Sequence, residues 1–461
     1  MTERDLHVET MELAYACRTP LEARQIPFAL EQRDAEPSAA ARCVLLGDGA
    51  GRIQLLVSRD RFVDLRALQN ASGRELRASH RDDRAALCAQ LGLSELPGIP
   101  LANDTPMWID NALLQAKEVY LPSGAGQQWI RVDQSAFARL TNDCRVVDGS
   151  RPTKLAVQDD GGRASIDKAV EQFTTLRIRE RLDDTLHVPP LPDAARRIIQ
   201  LQLDPNYDLT DLIRIVEGDA AIAAQVVGLA SSPMHRARSA VTSVEDAIMR
   251  VLGVDMVVNL ALGLAISQSL RVPAGFEGGV FRYWLQSVYA GATAEALARC
   301  MPRKGRVPPG IAYLCGLLHN FGFLVLAHVF PPHFQVTMAH RAVNDHLLPS
   351  LVEQELLGIS GEQVAGALLE NWNLPEVVHQ SVRYQSAPDL AGENQPAAQL
   401  LALTRQVLAS NGVLAGEPHD PLREAQLYEA LALDREMAKE AITVIIDSSD
   451  KLAQMATRMV A

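Results

Sequence analysis

The sequence has few aromatic residues and no excess of basic charge. Phe, Trp and Tyr make up 5% of the 461 residues, whereas 48% are hydrophobic, with many Ala and Leu among them. This composition disfavours an all-β protein and favours a largely helical one. The formal net charge of −12 gives the chain as a whole no basic footprint for nucleic acid, although a local basic patch stays compatible with it.

Paired cysteines are also missing. The six cysteines are Cys17, Cys43, Cys88, Cys144, Cys300 and Cys315, and no two of them form a CxxC pair. This spacing argues against a structural zinc site, and a long chain with scattered cysteines gives no disulfide framework.

The sequence shows no long hydrophobic run of the kind that membranes require. We identify Met256–Ile266 as the most apolar stretch, and it is too short to cross a bilayer and contains Asn259. The first residues, MTERDLHVETME, lack the basic and apolar regions of a secretory signal. We therefore expect a soluble, cytoplasmic protein without a membrane partner.

The remaining pattern predicts a multidomain chain. Residues 1–148 mix helical stripes with short apolar strands, two of which flank the Gly-rich hairpin turn GDGAGR. Residues 149–165 are rich in Gly, Ser, Pro and charge and predict a linker. Residues 166–410 have almost continuous helical periodicity, and 411–461 form a helical extension that we expect to pack on the second domain or mediate self-association.

One segment, Cys315–Val329, combines a polar pair with an otherwise apolar pattern. Its periodicity predicts a single buried helix with Gly322 at a close helix–helix contact. His319 and Asn320 are either hydrogen-bonded core polar groups or the remnant of a metal site. The pair resembles the His-Asp step of the HD phosphohydrolase superfamily, in which both residues bind a metal, but an amide ligand is weaker than a carboxylate.

The first domain resembles the YbaK/prolyl-tRNA synthetase-associated domain, a family of trans-editing aminoacyl-tRNA deacylases. The residues that carry the resemblance are ARCVLLGDGAGRIQLLVSRDRFVDLRAL, LCAQLGLSELPGIPLA and WIDNALLQAKEVYLPSGAGQQWIRVDQSAFARL. The resemblance implies an α+β fold with a strand lysine that holds the ester and a Gly- and Pro-containing loop that faces the aminoacyl group. Arg42 stands at the lysine position, and Gly98, Ile99 and Pro100 stand in the loop.

The exchange of lysine for Arg42 limits the chemistry of this domain. An arginine stays protonated and presents a bulky planar fork, so acid–base use is excluded while contact with a phosphate or carbonyl oxygen stays open. We expect weak or absent deacylation.

The second domain resembles the HDOD domain, a divergent branch of the HD superfamily found in bacterial signalling proteins. In order along the chain, the marks are VPPLP from Val188, GDAAIAAQVVGLASSP, SVEDAIMRVLG, WLQS, GLLHNFGFLVL, Glu355–Gly358 and WNLPEVVHQSVRYQ. The resemblance implies an all-α fold.

Most positions where catalytic HD relatives carry metal ligands are changed. The degenerate positions are Gln286, His319, Asn320, Gly361, Gln385 and Ser386, of which only His319 keeps an imidazole. The other histidines that we considered, His328, His333, His340, His346 and His379, have no ligand spacing relative to His319. We predict no metal, no other cofactor and no confident catalytic residue.

These observations lead to one leading function and one rival. The leading expectation is a bacterial signalling or regulatory scaffold with a non-catalytic HDOD domain and signalling proteins as partners. The rival is a trans-editing deacylase of mischarged tRNA, with tRNA bound through the first domain and HDOD as an interaction or dimerisation module. Homo-oligomerisation is compatible with both.

Overall fold

The computed structural model describes residues 13–33, 37, 40–101, 105–153, 191–203, 208–231, 240–267, 279–329, 331–414 and 417–460. The chain divides into two compact units. The first unit contains Met1–Asp160 together with Met338–His346, and the second contains Gly161–Thr337 and Leu347–Ala461. The short stretch 338–346 therefore belongs to the first unit, although the rest of that unit ends at Asp160.

The first unit is a mixture of strands and helices. Its strands are β1 (Ala29–Gln32), β2 (Ala41–Asp48), β3 (Gly51–Ser58), β4 (Arg61–Val63), β5 (Arg77–Ala78), β6 (Met107–Asp110), β7 (Glu118–Pro122), β8 (Gln128–Asp133), β9 (Arg145–Val147) and β10 (Ser150–Pro152). Its helices are α1 (Tyr15–Ala23), α2 (Leu65–Ser72), α3 (Arg81–Leu91) and α4 (Gln134–Leu140). The predicted α+β class is confirmed.

The strands form three sheets, in the orders β5-β2-β3-β6-β9, β1-β8-β7 and β10-β4. The hairpin predicted at GDGAGR joins β2 to β3, which pair antiparallel from Ala41 opposite Ser58 to Asp48 opposite Gly51. Gly51 has a φ of +126°, a value that few other residues adopt. The Asp48 carboxylate accepts a 2.8 Å hydrogen bond from the Ala50 amide and closes the turn.

Two hydrophobic cores cover opposite faces of β2. Ala41 belongs to one core, which also contains Ile99 and Leu121. Val44 and other residues of the second core pack with Val343, which is fully buried. This alternation is the period-two pattern of a strand, so both faces of the sheet are covered within the first unit.

The predicted linker 149–165 begins inside the sheet structure. Ser150–Pro152 form β10 and pair antiparallel with β4. A Cβ at Gly149 would overlap the Leu68 side chain, so this glycine allows the chain to approach α2 closely. The rest of the predicted linker, 154–165, lies outside the described residues.

The described part of the second unit is helical. Its helices are α5 (Asp193–Leu203), α6 (Leu209–Glu217), α7 (Ala220–Ala230), α8 (Val244–Asp246, continued by a π-helical turn at Ala247–Leu252), α9 (Val254–Ser267), α10 (Gly279–Cys300), α11 (Pro309–Leu318), α12 (Phe321–Val329), α13 (Pro331–Val343), α14 (Pro349–Leu357), α15 (Gly361–Asn371), α16 (Glu376–Tyr384), α17 (Gln395–Ser410), α18 (Pro421–Ala430), α19 (Arg435–Asp447) and α20 (Ser449–Val460). The last residues of α13 belong to the first unit.

Side-chain caps fix several helix starts. Asp219 accepts hydrogen bonds from the Ala221 and Ile222 amides at the start of α7, and Ser243 accepts one from Asp246 at the start of α8. Both side chains satisfy amides that the first turn of a helix leaves free.

The C-terminal helices complete the core of the second unit. Leu427 and Tyr428 of α18 and Ile442 of α19 pack with residues of α10 and α17 in one hydrophobic cluster. From α7, the Gln225 side chain donates a 3.1 Å hydrogen bond to the Met455 carbonyl of α20. The extension 411–461 therefore packs on the second unit.

Candidate functional site

The predicted single helix around His319 is interrupted at the polar pair. Helix α11 ends at Leu318 and α12 begins at Phe321, so His319 and Asn320 lie in a turn between two helices. The single-helix prediction is therefore wrong. The turn is stabilised because His319 Nδ1 donates a 2.7 Å hydrogen bond to the Gly316 carbonyl.

The expected close contact at Gly322 is confirmed. A Cβ at this position would overlap the carbonyl of Gly361, at the start of α15. The Gly361 amide in turn donates a 2.7 Å hydrogen bond to the Glu353 carboxylate. Two of the positions singled out from the sequence thus bring the backbones of α12 and α15 into direct contact.

Gln385 joins the turn to the end of α16. Its Nε2 donates hydrogen bonds to the His319 carbonyl at 2.8 Å and to the Val382 carbonyl at 3.0 Å. The neighbouring hydroxyl of Ser386 donates a 2.7 Å hydrogen bond to the Glu362 carboxylate. Gln385 and Ser386 therefore act as hydrogen-bonding groups close to His319.

Arg405 of α17 is the central cation of this site, and no sequence motif predicted it. Its guanidinium donates two hydrogen bonds to Glu417, at 3.0 and 2.9 Å, and one of 2.9 Å to Glu362. A fourth, of 3.2 Å, goes to the Ser386 hydroxyl. Only 6% of the Arg405 side chain is exposed, so this network lies in the interior of the second unit. We call these four residues the Arg405 cluster.

Burial and charge set the protonation states here. Burial, together with the nearby Arg405 charge, lowers the pKa of His319 to about 4, so the imidazole is neutral at physiological pH. Burial alone would lower the pKa of Arg405, but Glu417 and Glu362 outweigh that effect and raise it. Burial raises the pKa of Glu362, and Arg405 opposes this rise. The cluster is a buried cation held between two carboxyl groups.

Two other predicted positions take part in hydrogen bonds to backbone carbonyls. Gln286 donates a 3.3 Å hydrogen bond to the Val413 carbonyl, and the Asn320 carbonyl accepts one of 3.4 Å from Tyr283. Within the described ranges, no group of three or more His, Cys, Asp or Glu side chains has the arrangement of a metal site.

Arg42 forms a separate candidate site in the first unit. Its NH2 donates to the Val343 carbonyl at 3.0 Å and to the Asp345 carboxylate at 2.8 Å, and its NH1 contacts Nδ1 of His346. Arg84 of α3 also reaches Asp345, at 3.4 Å. Only 9% of the Arg42 side chain is exposed.

The electrostatics of Arg42 follow from this burial. Burial lowers its pKa to about 10, while the Asp345 carboxylate acts in the opposite direction. The guanidinium therefore stays charged at physiological pH. Burial and the Arg42 charge lower the pKa of His346 to about 2, which leaves this imidazole neutral.

The structure does not place Arg42 beside the predicted Gly98–Pro100 loop. The Gly98 amide donates a 2.8 Å hydrogen bond to the Pro122 carbonyl, and Ile99 is fully buried in the core that includes Ala41. Arg42 follows Ala41 on β2 and points to the opposite face, where it contacts Val343. Position 42 and the loop therefore belong to different faces of the sheet.

Comparison with known proteins accounts for both folds. The aminoacyl-tRNA editing domain family matches residues 22–140, and the HDOD domain family matches residues 188–388. A crystal structure of a protein assigned to signal transduction, from Marinobacter aquaeolei VT8, is 37% identical. It covers 98% of this chain and 100% of its own, with a TM-score of 0.83. The chain carries an HDOD domain, with an aminoacyl-tRNA editing domain at its amino end.

More distant relatives of this HDOD protein extend the comparison. An HDOD domain protein of unknown function from Geobacter sulfurreducens is 20% identical, with a TM-score of 0.51 over 62% of this chain and 99% of its own, which shows a shared fold. An uncharacterized protein of Treponema pallidum (strain Nichols) is 23% identical over 263 residues, which are 55% of this chain. The match spans 49%, about half, of that curated relative.

Arg405 and Glu417 lie beyond the residues matched to the HDOD family, since the match ends at 388. The cation and one of its two carboxylates therefore come from a part of the chain that the family motifs do not include. An arginine twelve residues before a glutamate gives no recognisable sequence pattern, which explains why the motifs did not reveal the pair.

A stretch longer than Met256–Ile266 is apolar enough to span a membrane, contrary to the expectation from sequence. Pro309–Ala327 has 19 residues and a mean hydropathy of 1.7, enough by length and composition to cross a membrane. However, 89% of it is buried inside the protein, as expected for central helices of a helical domain.

Proposed function

We propose that this protein is a bacterial regulatory protein of signal transduction whose HDOD domain is non-catalytic. The observation that supports this proposal best is the Arg405 cluster, in which a guanidinium is bound by Glu362 and Glu417. The full-length similarity to a protein assigned to signal transduction supports the regulatory role.

The Arg405 cluster already contains a cation that is hydrogen-bonded to both of its carboxyl groups. Glu362 and Glu417 are the acidic side chains of the Arg405 cluster, and both accept hydrogen bonds of 2.9 to 3.0 Å from Arg405. A metal would have to displace a bidentate, charge-assisted pair to reach them. The neighbouring Gln385 and Ser386 offer only neutral oxygens, which bind hard cations less strongly than carboxylates do.

For the first domain, we propose that deacylation is weak or absent. Arg42 donates hydrogen bonds to Val343 and Asp345, and it lies on the opposite face of β2 from the predicted loop. A planar guanidinium in this position does not reproduce the compact ammonium of a lysine. We also propose that the protein acts in the cytoplasm and that its partners are other signalling proteins.

Elemental analysis tests the non-catalytic HDOD domain. Full-length protein would be incubated with Mn²⁺, Fe²⁺ or Zn²⁺, desalted and measured beside an Arg405→Ala variant, which keeps both carboxylates but lacks the internal cation. We expect no stoichiometric metal in the wild type. A tightly bound ion at one per chain in the wild type would contradict the proposal.

A deacylation assay tests the first domain. The full chain should be used, because residues 338–346 belong to the first unit and a fragment ending near residue 150 would lack them. A panel of mischarged tRNAs is expected to show no hydrolysis above the spontaneous rate. Efficient turnover would favour the trans-editing deacylase instead, with HDOD as its interaction module.

A further inference from the structure

Residues 338–346 lie within the HDOD family match by sequence but belong to the first unit by structure. We call this stretch the docking segment. Sequence alone assigns it to the helical domain, but its hydrogen bonds and ring contact are made to β2 and β4 of the editing-family domain.

Three kinds of contact hold the docking segment. Val343 is fully buried in the core that covers one face of β2. Asn344 pairs with the backbone of Val63, accepting a hydrogen bond of 2.8 Å from its amide and donating one of 3.0 Å to its carbonyl. The His340 ring stacks on Phe62 with centroids 5.7 Å apart and an interplanar angle of 10°.

Arg42 adds the charged contact at the end of the segment. Its guanidinium contacts the Val343 carbonyl, the Asp345 carboxylate and the His346 ring at the same time. Since the Asp345 side chain is 35% exposed and that of Arg42 only 9%, the segment separates Arg42 from solvent.

We propose that Arg42 is a docking residue, and that the editing-family domain uses the position of the expected ester-binding lysine to hold residues 338–346 of its own chain. The occupant of this surface is thus an internal segment with an Asn-Asp-His sequence. The inference deepens the proposed non-catalytic role of the first domain and rests on it.

The geometry explains why arginine suits this task better than lysine. The three acceptors lie around a planar fork, with two of them sharing NH2 and the third at NH1. A lysine ammonium is a compact, strongly hydrated point charge without that fixed fork. It can retain Asp345, but it does not match all three groups with the same geometry.

Hydrogen exchange of the full chain tests the docking residue. Amides of 338–346 would be followed in the wild type, Arg42→Ala, Asp345→Ala and the double variant. We expect each single change to speed exchange of this segment about 10- to 100-fold, because hydrogen bonds to charged groups contribute about 1.5–3 kcal/mol. In the double variant, the increase in exchange rate should be much smaller than the product of the two single-variant increases, since the two residues share one interaction.

Two further variants keep the result interpretable. Arg42→Lys should restore part of the protection that Arg42→Ala loses, and Asp345→Asn, at a partly exposed site, tests the charge alone if Arg42→Ala fails to fold. Arg52→Ala is the matched control, because the 2.7 Å pair of Arg52 with Asp83 lies in the same domain and is largely exposed. It should leave exchange of 338–346 unchanged.

A binding assay with an RNA microhelix ending in CCA separates this proposal from its rival. We expect loss of segment protection in Arg42→Ala without a specific loss of RNA binding. If Arg42→Ala and Asp345→Asn leave protection of 338–346 unchanged while Arg42→Ala abolishes RNA binding, Arg42 is a ligand-binding residue and the docking proposal fails. If the wild type deacylates tRNA and the Arg42 and Asp345 variants still speed exchange of 338–346, the proposed non-catalytic function fails but the docking proposal stands.

Discussion

Removal of the Arg405 guanidinium is the sharpest perturbation of the helical domain. In Arg405→Ala, Glu362 and Glu417 lose their hydrogen bonds of 2.9 to 3.0 Å but keep their surroundings, where their side chains are 12% and 14% exposed. Two carboxyl groups would then lie near each other without the guanidinium that pairs with both. Such a loss destabilises a folded state by about 3–5 kcal/mol, because an unpaired buried charge remains.

The loss should depend on pH in a defined direction. Burial already raises the pKa of Glu362, and removal of Arg405 takes away the charge that opposes this rise. The folded variant would then bind a proton that the unfolded chain binds only at lower pH. Its stability should therefore recover as the pH falls through the raised folded pKa, towards the ordinary glutamate value of about 4.3.

Hydrogen exchange of peptides from α17 measures this effect locally, without assuming that a two-domain chain unfolds in one step. The matched control is Arg214→Ala, because the 2.9 Å pair of Arg214 with Asp211 is exposed on α6, at 67% and 47%. Exposed pairs contribute about 0.2–1 kcal/mol. A loss in Arg405→Ala no greater than in the control, or a loss that stays constant between neutral and mildly acidic pH, would refute the reasoning.

Three further predictions concern the turn at His319. Asn320→Asp should not create metal-dependent hydrolysis of a cyclic dinucleotide, because neutral neighbours and the Arg405 cation remain; turnover by this variant would show that the ligand positions are misplaced. Gly322→Ala should destabilise the second unit by about 1–3 kcal/mol or more, because its Cβ would overlap the Gly361 carbonyl, and unchanged exchange of α12 would contradict this. Since the pKa of His319 is about 4 when folded and about 6.5 when unfolded, the unfolded state binds the extra proton between these values. Stability should fall by at most about 3 kcal/mol as the pH drops through that window, and His319→Gln should reduce this slope in acid unfolding curves.

The sequence by itself determined the two fold classes and many element positions. Helical periodicity predicted the helical class of the second domain, and the Gly-rich turn predicted the β2–β3 hairpin. These features depend on local chemistry, namely side-chain spacing, caps and turn glycines, which a single stretch of chain contains. Local periodicity was insufficient at His319, where helix α11 ends although the apolar pattern continues.

Only the tertiary structure decided which polar groups meet. Arg405 is adjacent in sequence to neither Glu362 nor Glu417, and nothing in the spacing of Arg42 and Asp345, 303 positions apart, links them. Arginines and carboxylates are common on surfaces, so their types alone do not distinguish a buried pair from a solvated one. Packing of separate helices and strands buries the guanidinium of each pair, and this burial distinguishes Arg42 and Arg405 from solvated arginines.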